Sequence, residues 1–332
     1  MTRRRLLLVL VLSLVSASVA RAGDPYAGIF FVNPHPEVRQ LVNAAGFGLV
    51  RMRFLWDQVQ TSPPAGCDPH INWNWSDFEN QVNAAVADGY TIVVTLKGTP
   101  AWANGNQSYN HPPLDPSYFE NFTRAVAQHF GSRIKYFDLW NEPDGNTYWT
   151  GSRNDYVRLI LKPGIKGIHE GWASAKVVAP STSGAGDQIN VDAWVRDTDG
   201  SLVPGIDEYS THLPYTTSDD QVSVLGSMNT WCNNHLPCDG FLVTEFGDNG
   251  SDPGGEVNQV LNACASPGYV WCDSAVVFYL HQADGTPGDF FTPFALLDVN
   301  GLPKERFCKI EKRNTGVQVA PCPCTNGGPG CS

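Results

Sequence analysis

Short apolar runs rich in β-branched residues recur along the chain, and longer stretches with helical periodicity separate them. The runs at 28–32, 49–55, 91–96, 134–140, 176–179, 206–211, 241–245 and 275–280 read as eight strands. Helical patterns fall at 37–45, 76–88, 117–130 and 154–171, and 304–312 reads as a closing helix. Gly46, Gly89 and Gly131 stand where the first three helices should stop, and Ser76 is placed as an N-cap. Pro163-Gly164 is expected to interrupt the fourth helix. Strands alternating with helices predict an α/β protein, a single closed (β/α)8 TIM barrel. An open doubly wound sheet is the rival, but no Gly-x-Gly-x-x-Gly follows the first strand.

The ends of the chain have another character. Arg3, Arg4 and Arg5 precede an apolar stretch from Leu6 to Val15, and Ala20-Arg21-Ala22 has the small residues of a cleavage site. Residues 1–22 therefore read as a signal peptide, with an apolar core too short to span a bilayer. Residues 23–312 are assigned to the catalytic barrel, and 313–332 to a short tail rich in Cys, Gly and Pro. Cleavage would leave 18 basic residues against 33 acidic, moving the formal charge from −11 to −15. An acidic surface argues against nucleic acid or anionic membranes as partners. A neutral oligo- or polysaccharide fits better, bound by a secreted monomer.

Nine cysteines in an exported chain point to disulfides. Cys232 and Cys238 could close one small loop, and Cys264 and Cys272 another. Cys308, Cys322, Cys324 and Cys331 crowd the C-terminus and Cys67 stands apart, so an odd thiol is left over. Cys322-Pro-Cys324 lacks matching histidine spacing, and no metal is expected.

Glu142, in Trp140-Asn141-Glu142-Pro143, and Glu245, in Val243-Thr244-Glu245-Phe246, each end an apolar strand-like run. On the eight-strand count these are strands four and seven. The active site of a parallel barrel lies at the carboxyl ends of its strands. Two carboxylates there are what cleavage of a glycosidic bond requires. Aromatic residues near strand ends, above all Trp102 and Trp140 and then Tyr279, are candidates for stacking on sugar faces. Tyr148 and Trp149 could shape a neighbouring subsite. Arg51 and Arg53 share a face of strand two, and Arg53 is expected to pair internally with Asp138.

Trp140-Asn141-Glu142-Pro143-Asp144 resembles the Asn-Glu-Pro signature of clan A retaining glycoside hydrolases. Val50 to Trp56, Gly98 to Trp102, and Ala295 to Asp298 with Gly301 to Lys304 resemble segments of family 39, with family 5 the next likeness. The resemblance covers roughly residues 28 to 307. It implies no cofactor. It makes Glu142 the general acid/base and Glu245 the nucleophile, so Glu142 must hold a proton while Glu245 stays ionised. Arg51 and Tyr215 would support Glu245, Asn141 would bind substrate, and His212 would line the site. Strand six ends His212-Leu213-Pro214-Tyr215, where family 39 has His-Pro-Tyr, so Leu213 is an insertion that puts Tyr215 in question. The expected function is hydrolysis of β-linked xylan-type or β-glucan/mannan-type glycans. A carbohydrate-binding pseudoenzyme, a transglycosylase and an inverting hydrolase stand as alternatives.

Overall fold

The computed structural model of the 332-residue chain describes residues 23–30, 36–64, 73–183, 188–215, 217–235, 238–247, 255–278, 295–298 and 302–318. Eight parallel strands form a closed barrel in chain order. They are β1 (Asp24–Phe30), β2 (Phe47–Leu55), β3 (Thr91–Lys97), β4 (Tyr136–Leu139), β5 (Lys176–Thr182), β6 (Glu208–His212), β7 (Phe241–Phe246) and β8 (Cys272–Val277). β1 closes the ring on β8 through Ala27, Gly28 and Ile29. β1 starts before the predicted run because its first residues are not buried; pairing of Asp24 with Phe47 extends it, not apolar content.

Both faces of the sheet are covered, which is why these strands read as continuous apolar runs. Leu49, Val93, Tyr136, Val178, Leu242 and Val276 fill the barrel interior with Phe30 and Phe278. Val50, Val94, Phe137, Val177 and Val243 face the surrounding helices. The helix Pro116–Phe130 shows how its sequence fixes it. The Asp115 side chain accepts from the Ser117 N–H, Pro116 occupies the first turn, and Gly131 ends the helix at φ 49°.

The predicted break at Pro163-Gly164 does not occur. Arg153–Tyr156 runs through a π-helical stretch, Val157–Leu161, into Lys162–Gly171. The wider turn just before Pro163 absorbs the missing N–H and the ring. Gly164 and Gly167 serve close packing: a Cβ on Gly167 would lie 2.2 Å from Thr123 Oγ1 and 2.3 Å from the Glu120 carbonyl.

Cys232 pairs with Cys238 and Cys264 with Cys272, as the spacing suggested. Cys308 is disulfide-bonded as well. Cys67, Cys322, Cys324 and Cys331 lie outside the described residues, as do 1–22 and most of the tail. The closing helix, Glu305–Thr315, runs past residue 312 to a left-handed Gly316. Among the described residues no helix is long and apolar enough to cross a membrane.

Candidate active site

Arg51 is the hub of the barrel mouth. Its side chain projects inward from β2 and is fully buried. Nη1 donates to Glu245 Oε2 at 3.0 Å, and Nη2 to Asn141 Oδ1 at 2.9 Å and Asp138 Oδ2 at 3.3 Å. Nε donates to Thr95 Oγ1 at 2.9 Å, and the Thr95 hydroxyl in turn donates to Asp138 Oδ2 at 2.7 Å. The other Asp138 oxygen accepts from Ser181 Oγ at 2.7 Å. The expected Arg53–Asp138 pair is therefore replaced by Arg51–Asp138. Arg53 lies one inward position nearer the mouth, exposed, over the Phe30 ring.

Glu245 reaches this network through an irregularity in β7. Thr211 pairs with Val243, but the next residue, His212, pairs with Glu245, leaving Thr244 as an extra residue. Leu242 lies in the barrel interior, and Thr244 Oγ1 touches Ser181 Oγ at 2.8 Å on the same side. Strict alternation would then turn Glu245 outward, and the bulge returns it to the mouth. Its Oε1 accepts from Tyr215 Oη, so both oxygens are engaged. The inserted Leu213 is buried in the core and does not displace Tyr215. Burial acts to raise the Glu245 pKa, but His212, Arg51 and the Tyr215 hydroxyl together hold it below the usual carboxylate range.

Glu142 is placed by a strained segment. Trp140 and Glu142 have φ of 82° and 47°, a region that side-chain-bearing residues rarely adopt. The segment is tied by Trp140 N–H to the Leu96 carbonyl at 3.1 Å and Glu142 N–H to the Ser181 carbonyl at 2.9 Å. Glu142 Oε1 lies 2.8 Å from His212 Nδ1. Single side-chain atoms of Glu142, His212 and Glu245 all fall within 4.8 Å of one another. That spacing could also hold a cation. However, Arg51 already neutralises Glu245, and a cation there would face the guanidinium at short range.

A mouth with two carboxylates, one locked among donors and one against a histidine, is equipped to act on an acetal. The comparisons with known proteins point the same way. Residues 25–272 match the model for Cellulase (glycosyl hydrolase family 5). The chain belongs to that family. It is a glycoside hydrolase of clan A, and its substrate is a carbohydrate.

Solved structures share the family 5 hydrolase's fold at low identity. A family 39 glycoside hydrolase from Bacteroides cellulosilyticus is 17% identical with a TM-score of 0.68, covering 87% of this chain and 63% of that one. A monomeric β-xylosidase from Caulobacter crescentus gives 16% and 0.66, covering 91% and 69%. A Penicillium canescens endo-1,4-β-xylanase gives 15% and 0.62, covering 89% and 96%. Family 5, by its model, and family 39, among the folds, are the two likenesses that the motifs suggested.

The aromatic expectations need correction. Trp140 is fully buried, edge-on to Trp149, with its indole N–H on the Tyr148 carbonyl at 2.9 Å, so it has no free face for a sugar. Trp149 is buried too. Trp102 is half-buried against Trp56 and Tyr118 and donates to the Gln60 carbonyl at 2.9 Å, so it too packs. Tyr279 lies outside the described residues. Tyr148 is half-buried, with its ring beside Lys97, which sequence reasoning overlooked. Lys97 ends β3 on the same inward face as Thr95, and strand alternation alone could have singled it out.

Proposed function

We propose that this family 5 enzyme is an exported retaining hydrolase of β-linked glycans. The proximity of Glu142 and Glu245, with carboxylate oxygens within 4.8 Å, carries the reading. Retention by direct attack needs carboxyl groups about 5–5.5 Å apart, whereas inversion needs about 6.5–9.5 Å to seat a water. Glu245, ionised between Arg51 and Tyr215, attacks the anomeric carbon. Glu142 gives its proton to the leaving oxygen, then takes one from the water that hydrolyses the glycosyl-enzyme. His212 orients Glu142, and Asn141, held by Arg51, hydrogen-bonds the sugar bound at the nucleophile. The substrate is a xylan-type or a β-glucan/mannan-type glycan. The first is favoured by the xylosidase and xylanase among the similar folds, the second by the family's own name. Export is supported by the cationic, apolar start of the chain and by the paired cysteines.

The test is hydrolysis of a glycan panel by wild type and Glu245→Gln, with the first-formed anomer read by proton NMR. Retention in the wild type, with turnover lost in the variant, is the expected result. An inverted product sinks the nucleophile assignment. Glu142→Ala should lose far more rate on natural glycans than on activated aryl glycosides, and azide should restore it. Equal losses on both would remove the acid role.

A further inference from the structure

At the mouth, beside the catalytic pair, two cations make no ion pair with any described side chain. Arg53 of β2 and Lys97 of β3 lie on the inward face that also carries Arg51 and Thr95, and β2 and β3 run in register with Arg53 opposite Thr95 and Leu55 opposite Lys97. Among the described residues no carboxylate pairs with either, although acidic residues outnumber basic ones 33 to 22 in the chain. Lys97 is only 3% exposed. A buried ammonium normally requires a partner. Here it has ring faces instead: Nζ lies 4.7 Å from the Tyr148 centroid and 5.9 Å from that of Tyr109. Burial and the nearby charges of Arg53 and Arg51 push its pKa down to about 8.

We propose that Arg53 and Lys97 form a subsite for a carboxylate carried by the substrate, so that the preferred glycan bears uronic acid residues next to the cleaved bond. A guanidinium fork and a point ammonium converging on one anion is a standard way to hold a carboxylate. The tyrosine rings would bracket the sugar that carries it. A substrate carboxylate would supply the direct counter-charge that no described side chain gives these two cations. It does so only when substrate is present, which turns the unfavourable burial of Lys97 into selectivity. The net negative charge of the chain, which suggested a neutral glycan, describes the whole surface. Locally, Arg53 and Lys97 put two positive charges on one side of the mouth.

The inference rests on the glycosidase reading, and its test separates the two. Intact mature protein and the variants Arg53→Gln and Lys97→Met are assayed on acidic glycans and on the same glycans with carboxyls reduced to alcohols. The expected wild-type kcat/KM is at least tenfold higher on the acidic form, and each variant should erase most of that ratio. A ratio near one in the wild type, or equal losses on both forms in the variants, overturns the proposal and makes the two residues hydroxyl contacts or structural cations. In parallel, calorimetry with glucuronate and glucose should show uronate binding at least fivefold tighter, and the double variant should lose the difference. Uronate preference without turnover would leave the subsite standing and remove the hydrolase reading. No uronate preference removes the subsite whatever the turnover.

Discussion

Arg51 touches Glu245, Asp138, Asn141 and Thr95 with one guanidinium, and all of these groups are buried or nearly so. Lysine has one point charge and no fork, so Arg51→Lys should abolish turnover. It should also lower stability by about 3–5 kcal/mol, since it strands buried carboxylates. Denaturant melts and kcat read the two effects, and an active Arg51→Lys would contradict the hub. Glu142 and Glu245 could be picked out from the sequence because carboxylates at the ends of apolar runs are conspicuous, whereas only the family resemblance favoured Arg51 over Arg53. Thr95, Ser181 and Thr244 could not. A hydroxyl in a strand looks like any β-former, and only the fold shows that Ser181 joins Asp138, Ser210 and Thr244.

The elements repeat that contrast. All eight strands were visible as apolar runs because a two-sided sheet leaves no polar alternation to confuse them. The β7 bulge was not visible, since Val243-Thr244-Glu245 carries no mark of an extra residue, and yet it decides which way the nucleophile faces. The π-helical stretch before Pro163 escaped for a similar reason, because proline normally ends a helix and packing overrode it here. That packing can be tested. Gly167→Ala drives a methyl into Thr123 and Glu120 of the helix Pro116–Phe130. The loss should be about 3 kcal/mol, a Tm drop of roughly 6–12 °C for a chain of this size, although alanine is the better helix former. A rise in Tm would mean that the helices part easily.

For the whole molecule, the barrel floor and the mouth behave differently with pH. Glu208 and Asp273 meet at the floor, where burial and the Asp273 charge push Glu208 up to about 9, and burial raises Asp273. The folded state thus holds a proton that the unfolded chain releases near pH 4.3. The stabilisation is whole below that pH and is lost as pH rises through about 9. Melting temperature should fall between about pH 5 and pH 9, and Glu208→Gln should flatten the fall. Parallel curves for the two proteins would place the effect elsewhere. The two disulfides whose partners are both described also lie at the floor, closing the turns that lead into β7 and β8. Reductant should therefore shorten survival on heating, by about 2–4 kcal/mol for each bond opened, while leaving the catalytic rate at room temperature unchanged. With these two staples at one end and its chemistry at the other, the enzyme has a natural orientation for attachment. Tethered to a support by its floor, it would present its open mouth to the glycan and keep those two cross-links out of the substrate's path.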